Sequence, residues 1–111
     1  MIQKMINAKV FLVYCTEEPE EWAYFIGVTN YLDKAKEFIE ENIIERALQY
    51  AHNIKDICFD KNVFYKIVAF NINERISIEK CEDCVFDLRT SDISQSKLEE
   101  LRNKAIALFL E

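Results

Sequence analysis

Val63-Phe64-Tyr65-Lys66-Ile67-Val68-Ala69-Phe70-Asn71-Ile72-Asn73 is the stretch on which the fold of this chain turns. It is dense in β-branched and aromatic residues, which suit a pleated, half-buried surface, and it carries the strongest strand signal in the sequence. Upstream, residues 8–15 read Ala-Lys-Val-Phe-Leu-Val-Tyr-Cys. Apolar residues continue there on both faces, so a central strand is expected. A polar segment with Pro19 follows, and residues 22–28 (Trp-Ala-Tyr-Phe-Ile-Gly-Val) are expected to complete a hairpin.

Between the hairpin and the strong strand, apolar residues recur at three- and four-residue steps. Leu32, Ala35, Phe38, Ile39, Ile43, Ala47, Leu48 and Ala51 form one stripe of a helix reaching about Tyr50. Asn30 is the expected N-cap, Asp33 supplies first-turn negative charge, and Asn53 is the expected left-handed stop. Downstream, two shorter strands are expected near residues 76–79 and 85–88. A last helix is expected to start after Asp92 or Ser96, where Ser96-Lys97-Leu98-Glu99 fits a capping box. Leu98, Leu101, Ala105, Leu108 and Phe109 make its apolar stripe. The expected order is β-β-α-β-β-β-α, an α+β fold with a mainly antiparallel sheet and both amphipathic helices packed on one face.

The chain has 111 residues, which fits one domain over residues 1–111 and leaves no room for two cores. Gly27 and Pro19 are its only glycine and proline, so nothing marks a linker. Half of the residues are hydrophobic, enough for a core that needs neither disulfide nor metal. The net charge of −6 disfavours a nucleic-acid or anionic-membrane partner; it reads first as solubility and is compatible with a basic protein or a site that normally holds a polyanion. Every apolar run is broken by charge well short of a membrane span. The amino-terminal residues lack a signal-like apolar core, so a cytoplasmic protein with reduced thiols is expected.

The missing residue types narrow the chemistry. A single glycine does not build a phosphate-cradling loop, a dinucleotide fingerprint or a nucleophile elbow. The one histidine, His52, falls at a predicted helix end, where it reads more simply as a cap than as a general base. Cys81-Glu82-Asp83-Cys84 has the spacing with which two thiolates reach one zinc ion, but a structural site needs two further ligands from Cys15, Cys58 or His52. Its acidic spacer also opposes thiolate formation. A plain turn is the simpler reading, and no cofactor, metal or catalytic residue is expected.

Glu17, Glu18, Glu20 and Glu21 place four acids within six residues with no compensating base. Crowded like charges cost stability, which points to contact with a basic partner; the alternative is a solvated hairpin tip. Glu37, Glu40, Glu41 and Glu45 sit at helical spacing beside Lys34 and Lys36 and read as a solvated face. The adjacent Trp22 and Tyr24, with Phe64 and Tyr65, are candidate exposed aromatics, because each strand offers more apolar residues than one face can use. Burial in a core or a homodimer is the more frequent explanation for such residues.

Val10-Phe11-Leu12-Val13-Tyr14, Phe25-Ile26-Gly27-Val28, Leu32-Asp33-Lys34-Ala35-Lys36-Glu37-Phe38-Ile39 and the run from Tyr65 to Asn73 together resemble a group of small uncharacterised bacterial and phage proteins. The resemblance covers roughly residues 8–73. It implies a β-β-α-β core and a phage or mobile-element setting, and it carries over no activity and no site residue. The expected function is a non-enzymatic, protein-binding one, of the inhibitor or immunity type that blocks a larger protein. The alternative is a small homodimeric accessory domain that binds a small ligand.

Overall fold

A computed structural model describes residues 9–17, 23–71 and 84–111. Four strands and two helices follow one another as β1 (Lys9–Glu17), β2 (Ala23–Thr29), α1 (Leu32–Leu48), β3 (Val63–Asn71), β4 (Cys84–Arg89) and α2 (Gln95–Phe109). The strands form one antiparallel sheet in the order β2-β1-β3-β4. The α+β class and the antiparallel sheet are those expected from the sequence. The order is β-β-α-β-β-α, and the expected strand near residues 76–79 lies outside the described residues.

β1 and β3 occupy the middle of the sheet and pair without interruption from Lys9↔Asn71 to Glu17↔Val63. Their side chains alternate between two faces. Val13 and Cys15 of β1 and Val63, Tyr65 and Ile67 of β3 point to one face and are buried there. Ala35, Ile39, Ile43 and Ala47 of α1 and Leu101 and Ala105 of α2 complete the same apolar cluster. Each fully buried side chain of leucine size contributes about 1.5–3 kcal/mol, so this one cluster supplies most of what holds the helices to the sheet.

The helix boundaries differ from the expected ones for local reasons. α1 is preceded by Tyr31, which offers no side-chain cap; the Thr29 hydroxyl instead accepts from the Tyr31 N–H at 3.3 Å. Asn30 therefore does not cap this helix. Asn53 does not stop it either. Its side chain accepts from Lys55 N–H at 2.9 Å and caps a short 3-10 turn, Ile54–Asp56, while the Asp56 carboxylate accepts from Asn53 N–H at 3.2 Å. α2 begins at Gln95, between the two expected starts, with its cap at Ser94 rather than at the Ser96 box. Ser94, in extended backbone, accepts from Lys97 N–H at 3.2 Å, and Ser96 falls inside the first turn.

Polar links fix the layers against each other. Glu40 of α1 sits between Lys97 and Lys104 of α2, at 3.0 and 3.2 Å. Arg102 of α2 donates to the Ile57 carbonyl at 2.8 Å. The buried Thr90 hydroxyl, just past β4, accepts from Val63 N–H at 3.1 Å and donates to the Val63 carbonyl at 3.3 Å.

Candidate binding cleft between β2 and α1

α1 runs along β2 and approaches it closely at one point. A Cβ on Gly27 would lie 2.9 Å and 3.0 Å from Cδ2 and Cε2 of Phe38. The single glycine of the chain thus lets an aromatic ring close directly onto strand backbone. The pairing of β2 with β1 shifts here: Gly27 faces Val13 and Phe25 faces Tyr14, which leaves Ile26 as the extra residue of a bulge.

Beside the Phe38 ring opens a cleft of about 530 Å³. Residues 24–28 form its strand side, and Cys15 contributes from β1 beneath. On the helix side stand Phe38, Glu41, Asn42, Glu45 and Arg46. Steps of three and four residues place these on one face of α1. Glu41 and Glu45, one turn apart, are exposed and form no ion pair among the described residues. At the rim, Tyr24 is 46 % and Phe25 66 % exposed.

Two of the lining residues, Asn42 and Arg46, are held by polar contacts with groups outside the cleft. Arg46 bonds to the Glu17 carboxylate and, through Nε, to Asp60 at 3.2 Å. The Tyr65 hydroxyl donates to Asn42 Oδ1 at 2.7 Å. Burial pushes the Tyr65 hydroxyl far above its ordinary range; the adjacent Cys15 adds to this and Arg46 opposes it. Burial likewise raises the Cys15 thiol, against the pull of Arg46 and with a small push from Glu17. At neutral pH both groups hold their protons, and a protonated buried thiol is a poor nucleophile.

The structure distributes the sequence-derived candidates unevenly. Tyr24 stands on the cleft rim, half exposed. Glu17 ends β1 and is bonded to Arg46. Glu18, Glu20, Glu21 and Trp22 lie outside the described residues. Phe64 is half-buried on the sheet face away from the core, with Arg89 4.9 Å and Lys66 5.5 Å from its ring centre. Tyr65 follows the burial reading rather than the exposed one. It points to the helix-covered face, is wholly buried, and ends on Asn42.

Cys15, Cys58 and Cys84 are free thiols, and Cys81 lies outside the described residues. Among the described residues no three His, Cys, Asp or Glu side chains converge as a metal site, and no helix is long and apolar enough to cross a membrane. Phe25, Glu41, Asn42, Glu45 and Arg46 were not singled out as site residues by the sequence. Their one available signal was the shared spacing of the last four with Phe38 on the helix. Comparison with known proteins returns no matching family model, no matching curated protein and no matching solved structure.

Proposed function

We propose that this chain is a stoichiometric protein-binding domain that seats a basic partner at the β2–α1 cleft, as an inhibitor or immunity protein would. The observation that carries this reading is the cleft itself, in which Glu41 and Glu45, without an ion pair among the described residues, stand across from half-exposed Tyr24. Carboxylates beside aromatic faces suit a lysine or arginine side chain, because the charge and the ring quadrupole both attract a cation. The net charge of −6 attracts a basic partner to the chain as a whole. The protonated, buried Cys15 and Tyr65 support a binding role over a catalytic one. The phage or mobile-element setting comes from the resemblance of residues 8–73. Capture of the partner from the native host, followed by titration, tests the reading. Saturation at one chain per partner, weakened by Tyr24→Ala and by added salt, is the expected result. A full effect from substoichiometric amounts, with accumulating product, would overturn it.

One observation favours a second reading, a small accessory domain holding a small apolar ligand. A crevice of about 440 Å³ lies between α1, β4 and α2; Ile39, Ile43, Phe86, Leu88, Ile93 and Leu101 line it together with the polar Lys36, Glu40, Asp92, Ser94 and Lys97.

A further inference from the structure

We infer that the partner contributes an extended, lysine- or arginine-bearing segment that adds to the sheet as a fifth strand alongside β2. This rests on the binding role proposed above and specifies how it is carried out. β2 is an edge of the sheet, with a strand neighbour only on its β1 side among the described residues. An edge strand presents unpaired N–H and C=O groups, and proteins ordinarily guard such edges with charge or proline. The two edges of this sheet are treated differently. β4 carries Asp87 and Arg89 within its six residues. β2, Ala-Tyr-Phe-Ile-Gly-Val-Thr, has neither a charge nor a proline over seven. Its bulge is confined to Ile26, with regular pairing on either side. An edge without charge or proline, bearing exposed Tyr24, Phe25 and Val28 and regular pairing on both sides of its one bulge, is a template for another strand.

The cleft supplies the selectivity. It runs beside this edge, between residues 24–28 and the Phe38-to-Arg46 face of α1. In an added strand alternate side chains point to the helix side, about 6.6 Å apart. Glu41 and Glu45 are displaced along the helix by about 6 Å. The two repeats match, so two alternate basic side chains meet two carboxylates while the backbone pairs with β2. An extended acidic segment meets repulsion at both positions.

The test uses a capped peptide that alternates valine and lysine and is about as long as β2, with the full chain and backbone-amide hydrogen exchange as readout. Binding is expected to slow exchange at outward-facing amides of β2. Methylating alternate peptide nitrogens, which blocks strand pairing and keeps the charge, is expected to weaken binding more than about tenfold through lost backbone hydrogen bonds. The double variant Glu41→Gln/Glu45→Gln is expected to weaken it about three- to tenfold, since both carboxylates are exposed. A peptide that binds with the same charge dependence but ignores methylation overturns strand addition and leaves the basic-partner reading standing. If neither this peptide nor polylysine binds, the basic-partner reading itself falls. If self-association already protects the same β2 amides without peptide, the edge belongs to a second copy and the inference is refuted.

Discussion

Replacing Gly27 with alanine isolates the close approach of α1 to the sheet. Gly27 does not occupy the left-handed region of backbone conformation, so alanine is tolerated by the strand itself. In an open strand that change would gain about 0.5–1 kcal/mol, because glycine has more conformational freedom to lose on folding. Here the new methyl would stand 2.9 and 3.0 Å from two ring carbons of Phe38, where ordinary contacts begin at 3.4 Å. The ring must move by roughly half an ångström against its packed neighbours, and overpacking of that kind costs about 1–3 kcal/mol. The net expectation for Gly27→Ala is a loss of about 0.5–2 kcal/mol. In a Phe38→Ala background the clash is gone, and the same substitution becomes neutral or slightly stabilising. Urea unfolding of the four proteins, with unchanged slopes, yields the coupling directly. Equal effects of Gly27→Ala in both backgrounds, within about 0.3–0.5 kcal/mol, would refute the account of Phe38 lying on the strand.

Thr90→Val keeps the shape of the side chain but leaves the buried Val63 N–H without its acceptor; a loss of about 1–3 kcal/mol is expected from chemical denaturation, and a neutral result would remove this link from the fold. Glu40→Gln is expected to act in a pH-dependent way. Burial alone would raise the Glu40 carboxyl, but hydrogen bonds from Lys97 and Lys104 outweigh it and hold the group below its ordinary 4.5. The advantage of glutamate over glutamine is therefore complete above that value and is lost as pH falls through the lower folded-state value. With the side chain 35 % exposed, solvent screening keeps it below about 1 kcal/mol. A difference in unfolding midpoint that persists unchanged into strong acid would contradict this assignment.

β1 and β3 were readable because central strands are apolar on both faces, a property of the sequence alone. Which face each residue takes was not readable, and the neighbours Phe64 and Tyr65 show why. A strand sends them to opposite sides, and only the register with β1 decides that Tyr65 reaches Asn42 and Phe64 does not. The α2 cap fell two residues from the expected one because Ser94 and Ser96 are equally good candidates, and α1 starts after Tyr31 with no side-chain cap at all. The cleft was the least legible part. Glu40, Glu41 and Glu45 look alike in a helical reading, yet Glu40 meets lysines of α2 while the other two line the cleft along β2. That division is made by elements distant in the chain, and no local spacing encodes it.

The uninterrupted pairing of β1 with β3 has a kinetic consequence. Residue 17 finds residue 63, and residue 9 finds residue 71, so the middle of the sheet closes only around a long intervening segment. Loop closure of this length must be met before the contacts return any energy, which slows folding relative to a helical domain of equal size. During synthesis the β1–β2 hairpin emerges well ahead of its third strand, with one apolar flank of β1 awaiting β3. The time the ribosome takes from residue 30 to residue 71 therefore sets the shortest period for which that flank of β1 stays unpaired.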